Sequence, residues 1–289
     1  MKLESHRVVK DTTAIVATYE RQQHLGELID SFRSSYNGLK FVVADNSVNK
    51  YPRNDVTYVP LEAGSGISLS RNMALEKVQT PYTLLVDDDH VCITETKLES
   101  LLRCLVENNL DIVAGDQREA HSEPFEFHGQ YQFNRNRLLH YVAISRNDHG
   151  SWVQFDTTPN FFIARTDKLK KLMWTPELPF AKEHDDFFLR AMKDALKVSF
   201  LSEVAVLNNS VTRHHGGNLG EQSEELFRST WDISDKIEIR WIRTPYPRLS
   251  FYSTRYKALI EPTKDDFENA VRVFSKWHKD FSVLNPFST

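Results

Sequence analysis

The sequence predicts an α/β fold with a mostly parallel central sheet flanked by helices. Three observations predict it. Short apolar, β-branched runs alternate with helical periods from Thr12 to Val206, acids or turn formers stand directly behind several of those runs, and no segment repeats.

Taken in order, Thr12–Thr18 (TTAIVAT) is β-branched and reads as the first strand. Gln22–Ser35 carries Leu25, Leu28, Ile29 and Phe32 on one helical face. Phe41–Ala44 is a second strand, closed by the turn formers Asp45-Asn46-Ser47. Val56–Leu61 precedes the Gly64-Ser65-Gly66 turn, after which Arg71, Ala74, Leu75 and Val78 mark a helix. Tyr82–Val86 is a strand that ends in Asp87-Asp88-Asp89; a helix of Leu98, Leu101, Leu102 and Leu105 and the strand Asp111–Ala114 follow. Residues 116–158 lose this pattern and read as a lid or acceptor-facing region. Order returns with Asn160–Ala164, a helix opening near Glu183, and closing strands at Val198–Phe200 and Val204–Val206. Beyond Glu221 the chain reads as a helix, an aromatic crossing from Trp241 to Tyr252, and an amphipathic helix from Asp265 to Phe281. The expected organisation is a main domain over 1–220 with a helical C-terminal extension over 221–289 packed on it.

Composition narrows the function. At 289 residues, 40% hydrophobic and 26% charged, the chain can bury a substantial core. A net charge of −4 argues against nucleic-acid binding, which needs a basic footprint. No apolar run is long enough to cross a bilayer, and the first residues lack a signal-peptide core. Cys92 and Cys104 read as two free thiols in a reducing compartment, hence a cytoplasmic location, with the Golgi lumen as the alternative if an anchor precedes this sequence.

The aspartate run carries the chemistry. Carboxylates crowded at the C-terminal end of a buried strand repel one another, and a divalent cation relieves that repulsion while gripping a nucleotide diphosphate. Asp87 and Asp89, one residue apart, can project to the same side; the plainer alternative is a solvated acidic turn. Asp45 opens on the same edge, where a carboxylate could accept a uracil imide proton or simply close an Asx turn. Gly64-Ser65-Gly66 and Arg71 suit diphosphate contact without matching a Walker or dinucleotide loop. Glu183-His184-Asp185-Asp186 opens a helix, so these acids are either caps or, with Asp186 first and Asp185 and Glu183 as rivals, a general base. His214 and His215 are exposed residues or metal ligands. Trp152, Trp174 and Phe180 are core aromatics or stacking platforms for sugar rings.

Together these segments resemble the nucleotide-sugar glycosyltransferases of the GT-A fold, of family 2 type. Thr18-Tyr19-Glu20-Arg21 matches their Thr-aromatic-x-Arg segment, and Asp45-Asn46-Ser47, Ser70-Arg71-Asn72-Met73-Ala74 and the aspartate run follow in order. A narrower likeness is to the β-1,4-N-acetylgalactosaminyltransferases of ganglioside and Sd(a)-type glycan synthesis, continued by Asn160–Asp167 and His184–Leu189. The resemblance implies inverting transfer from a UDP-sugar to a glycan acceptor with Mn²⁺ or Mg²⁺. It implies a donor site of Thr18, Tyr19, Arg21, Asp45, Arg71, Asp87 and Asp88, a metal site of Asp87 and Asp89 whose late ligand is either missing or displaced to His214 or His215, and Asp186 as base beside Asp185. Leu207-Asn208 stands where those enzymes have Asp-His, and residues 116–156 show no likeness. A sugar nucleotidyltransferase and a catalytically silent sugar- or nucleotide-binding protein are the alternatives, and retaining transfer is a further one.

Overall fold

A computed structural model of the protein describes residues 2–120, 128–142, 152–209, 218–242, 248–277, 281, 283 and 286–287. The elements run α1 (Lys2–Asp11), β1 (Thr12–Thr18), α2 (Gln22–Ser35), β2 (Lys40–Asp45), β3 (Thr57–Pro60), α3 (Ile67–Glu76), β4 (Tyr82–Leu85), β5 (His90–Cys92) and α4 (Leu98–Glu107). They continue with β6 (Ile112–Glu119), β7 (Gly129–Asn134), β8 (Arg137–Val142), β9 (Val153–Gln154), β10 (Phe162–Arg165), α5 (Thr166–Leu172), α6 (Glu183–Lys193) and β11 (Val198–Asn208). The last are α7 (Asn218–Trp231), β12 (Asp235–Ile242), β13 (Arg248–Ser253), β14 (Ala258–Leu259) and α8 (Lys264–Trp277).

The central sheet has the order β3-β2-β1-β4-β10-β6-β11-β5, with β9 paired to β11. Its inner strands β1, β2, β4 and β10 are largely apolar because both faces are covered. Along β1, β2 and β4, Ile15, Val42, Ala44 and Leu85 pack under α3, α5 and α6, while Ala14, Val16, Val43 and Leu84 pack against α2 and α4. The half from β3 to β4 is parallel, as the alternation of strands and helices implies, but β10 enters antiparallel between β4 and β6. The two closing strands expected at Val198 and Val204 are one strand, β11, whose register against β6 shifts between Leu201 and Ala205.

A second sheet, β14-β13-β12-β8-β7, was not anticipated. The region read as patternless contributes β7 and β8, and the C-terminal part, expected to be helical, contributes β12, β13 and β14 between its two helices. Parallel pairing of β8 with β12 joins strands from both sides of residue 220 in one sheet. Period two explains its faces: Leu139, Tyr141, Ile237, Ile239 and Trp241 pack on α8, which leaves Lys236 and Glu238 on the side toward the central sheet. Cys92 and Cys104 are free thiols, and no helix among the described residues is long and apolar enough to cross a membrane.

Candidate active site

Parallel pairing aligns Thr18 with Asp45 and Ile15 with Leu85, so the segments after β1, β2 and β4 emerge at one edge. The strand direction reverses beside them at β10, the kind of switch point where open α/β sheets bind ligands. A cleft of about 550 Å³ opens there. Arg21, Arg71, Asp87 and Asp89 line it, joined by Asn160, Asn208, the segment from Phe180 to Asp185, and Lys236 and Glu238 of β12.

Two arginines hold the aspartate run. Arg71 is buried on α3 and donates from Nη2 to Asp87 Oδ1 at 2.8 Å. Arg21 Nη1 lies 2.6 Å from Asp89 Oδ2 and 3.2 Å from Asp88 Oδ1. Asp88 turns inward, accepting from Thr18 Oγ1 at 2.8 Å, and is not part of the cleft lining. Burial and the neighbouring Asp89 push the Asp88 carboxyl up to about 7 despite Arg21. Burial also works to raise Asp87, but Arg71 and His90 outweigh it and hold this carboxyl below its ordinary value. The backbone N–H of Asp87 donates to His90 Nδ1 at 3.2 Å, which fixes the turn.

Arg71 is incompletely satisfied. Its Nε and Nη1 are buried without a hydrogen-bond partner, and Nη1 is only within ion-pair distance, 3.9 Å, of Glu183. Unfilled guanidinium donors beside two carboxylates suit a diphosphate. Among the described residues, no group of three or more His, Cys, Asp or Glu could hold a metal alone. Asp87 and Asp89 offer hard oxygen donors, which fits a Mg²⁺ or Mn²⁺ ion shared with phosphate oxygens and water rather than an all-protein cage.

Asp186, the expected base, is not in the cleft lining. Its Oδ2 accepts from Thr175 Oγ1 at 2.6 Å and Arg190 Nε at 2.8 Å, and its Oδ1 from Trp231 Nε1 at 2.9 Å. Successive helical residues point about 100° apart, and α6 turns Asp186 toward α7 while Glu183 and Asp185 face the cleft. Asp185 Oδ1 accepts from Tyr131 Oη at 2.6 Å and Lys236 Nζ at 2.7 Å. Burial opposes its charge, yet Lys236 and Lys182 hold it far below the carboxylate range. Glu183 differs: burial raises its carboxyl, and Arg71 offsets this only in part. His184 Nδ1 lies 3.0 Å from Asn160 Oδ1 and therefore donates, which leaves Nε2 to accept from Thr157 Oγ1 at 3.2 Å. Burial pushes its pKa down to about 4, so the ring is neutral.

The remaining expected residues are placed as follows. Asp45 is buried in its own loop, accepting from the Ser47 N–H at 2.8 Å and Tyr58 Oη at 2.6 Å, so the Asx-turn reading describes its place. Tyr19 is exposed beside the cleft edge. Gly66, at φ 88°, packs so tightly on Pro179 that a Cβ would lie 2.4 Å from that ring, and Pro179 O takes the Ile67 N–H. The start of α3 is thus occupied by protein. Asn208 lines the cleft and donates to Glu119. His214 and His215 lie outside the described residues. Trp174 is core, stacked on Phe187 at 4.7 Å, and Trp152 packs at the edge of the α2/α4 face. Only Phe180 of those aromatics reaches the cleft. Lys236 and Glu238 were missed because a parallel pairing distant in sequence delivers them. The Asp186/Arg190 spacing of i,i+4 was an available sign that Asp186 is paired.

Comparison with known proteins shows the family. Residues 13–173, more than half of the chain, match the family model described as glycosyl transferase family 2. Beta-1,4 N-acetylgalactosaminyltransferase 1 of Homo sapiens is 33% identical over 205 residues, covering 67% of this chain and 38% of the relative. Beta-1,4 N-acetylgalactosaminyltransferase 2 of Mus musculus is 31% identical over 189 residues, covering 61% and 35%. The chain thus spans well under half the length of these relatives. The crystal structure of S. aureus TarS 1-349 in complex with UDP-GlcNAc superposes with a TM-score of 0.52 at 19% identity, covering 71% of this chain and 60% of that one. At that identity the likeness shows a common fold, the GT-A arrangement of a large sheet flanked by helices.

Proposed function

The chain belongs to glycosyl transferase family 2, and from that membership we propose that it moves a sugar from a UDP-sugar to a glycan hydroxyl, with inversion and with a divalent metal. The observation that carries this reading is Arg71, a buried guanidinium with two unfilled donors beside Asp87 in the cleft at the strand ends. Arg71 lines the cleft, and a guanidinium with donors to spare suits a diphosphate. The names of the relatives favour N-acetylgalactosamine as the sugar.

In the proposed reaction the acceptor oxygen bonds to the anomeric carbon as the bond from that carbon to the β-phosphate oxygen breaks. The electron pair leaves with UDP, and Glu183 takes the hydroxyl proton. Glu183 is the better base because its carboxyl lies above its ordinary value and, among the described residues, its nearest cation is Arg71 Nη1 at 3.9 Å. Asp185 is too tightly held by Lys236 and Tyr131 to accept a proton; it anchors the first turn of α6. Arg71 binds the diphosphate, and neutral His184 fixes Asn160 beside Asp87. Asp87 and Asp89 would hold a Mn²⁺ or Mg²⁺ ion, which when bound offsets charge on the departing diphosphate.

A second reading, donor binding without turnover, is favoured by Asn208, whose amide is committed to Glu119 at the position where the resemblance calls for a metal ligand. Calorimetric titration of UDP with Mn²⁺ and with EDTA, on the native chain and on Asp89→Ala, tests the donor site. Binding that needs both metal and Asp89 is expected; absence of UDP binding under every condition overturns it. Release of UDP from a UDP-sugar then separates turnover from silent binding.

A further inference from the structure

A second cavity, about 970 Å³, adjoins the cleft and is walled by α7, the turn between β13 and β14, and the segment before α6. Its volume lies at the upper end of small-molecule sites, about 300–1,000 Å³, and leaves room for an extended ligand. Phe180 and Ala181 line both cavities. Lys182 stands next in the dividing wall, its Nζ 3.0 Å from Glu224 on one side and 3.6 Å from Asp185 on the other. It holds a left-handed backbone at φ 64°, a costly conformation for a residue with a Cβ. Glu183 follows directly, so a ligand passing over Phe180 out of the second cavity arrives at the proposed base.

The wall chemistry defines what fits. Glu221, Glu225, Asp232 and Lys257 line the cavity and make no side-chain hydrogen bond or ion pair with any described residue. Arg228 is already held by Glu224 and Ser234 O, and Arg255 donates to Ser234 O. Since a carbonyl leaves the charge of Arg255 in place, the lining sets four carboxylates (Glu221, Glu224, Glu225 and Asp232) against three cations (Arg228, Arg255 and Lys257), an acidic excess of one that accepts hydrogen bonds and disfavours anions. Phe180 adds an aromatic surface of the kind sugar rings pack on.

We infer that this cavity holds the acceptor and that the acceptor is an extended, uncharged glycan. The inference rests on the donor reading above and adds its acceptor class. Its test uses the whole chain and a printed array of neutral and anionic (carboxylated, sulfated or phosphorylated) oligosaccharides, probed with UDP and Mn²⁺ present. The triple variant Glu221→Gln/Glu225→Gln/Asp232→Asn is compared with the native chain; Glu221 and Glu225 are exposed, and Asn tolerates the φ of 51° at position 232. Neutral oligosaccharides are expected to bind the native chain, with affinity reduced about tenfold or more in the variant while UDP affinity is unchanged. Arg255→Ala, a separate wall position, is expected to weaken the same glycans. Preference for anionic glycans, no glycan binding by a chain that still binds UDP, or glycan binding untouched by both variants overturns the inference. A native chain that binds no UDP fails the donor reading instead.

Discussion

Lys236 places its Nζ 2.7 Å from Asp185 Oδ1, so a side chain of the second sheet ends inside the cleft of the first. Both residues are buried, and Tyr131 of β7 donates to the same oxygen. The second sheet is therefore part of the site, because two of its strands hold the first turn of α6.

Removing one member of a buried ion pair leaves the other charge without its partner, at a cost of about 3–5 kcal/mol. Lys236→Met leaves Asp185 with Lys182 at 3.6 Å and Tyr131, so the loss is expected below that order, at about 1–3 kcal/mol. The double variant Asp185→Asn/Lys236→Met is expected to recover most of the loss, since both charges are then gone. Urea unfolding of the native chain, both single variants and the double variant measures the coupling; strictly additive losses would show that the two charges do not interact.

Glu183→Gln is expected to lower transfer by about 10²–10⁴-fold with UDP affinity retained, the usual worth of a general base. Asp186→Asn is expected to behave differently. It disturbs contacts with Thr175, Arg190 and Trp231, so its main effect is on stability, with the kcat of the folded fraction preserved. Single-turnover kinetics on both variants, normalised to active-site concentration by UDP titration, decide between them. A large kcat loss confined to Asp186→Asn would return the base to that residue.

Much of this was legible in the sequence. The runs TTAIVAT, FVVA and YTLLV are buried on both faces, so their composition alone marks strands, and the acids behind them mark the edge that carries the site. The second sheet was not legible, because β7 and β8 mix polar and aromatic residues and gain their partner only through β12. Which acids of the Glu183–Asp186 turn face the cleft was not legible from composition, and only the Asp186/Arg190 spacing pointed to Asp186 as the paired one. Their facing depends on the rotation of α6, which is set by Phe187 and Phe188 packing into the core and by Arg190 closing on Asp186.

Arg71 is expected to be irreplaceable by lysine. Its guanidinium reaches Asp87 through Nη2 while buried Nε and Nη1 have no hydrogen-bond partner among the described residues, a fork that an ammonium cannot reproduce. Arg71→Lys should therefore weaken UDP binding by about tenfold or more while leaving the fold intact. Calorimetry against UDP and against uridine checks it. Equal weakening for both ligands would place Arg71 away from the diphosphate.

Buried neutral histidines weaken the fold in acid. His184 is held neutral, its pKa pushed down to about 4 by burial, whereas a free imidazole titrates near about 6.5. Asp185, Arg71, Lys236 and Asp87 face it, and the two carboxylates only partly offset the burial. Between those two pH values the unfolded chain binds a proton that the folded chain refuses. The contribution of His184 to stability is therefore complete above about pH 6.5 and is lost as the pH drops toward about 4, at up to about 1.36 kcal/mol per pH step of one, while Asp88, whose folded carboxyl is raised to about 7, contributes in the opposite direction over the same range. His140 adds to the same slope, since burial holds it well below its ordinary value and both ring nitrogens lack a hydrogen-bond partner. His184→Gln can keep a hydrogen bond to Asn160 or Thr157 but cannot titrate. Its urea midpoint is expected to fall less between about pH 7 and about pH 5 than that of the native chain. An identical pH slope in both proteins would remove His184 from the account.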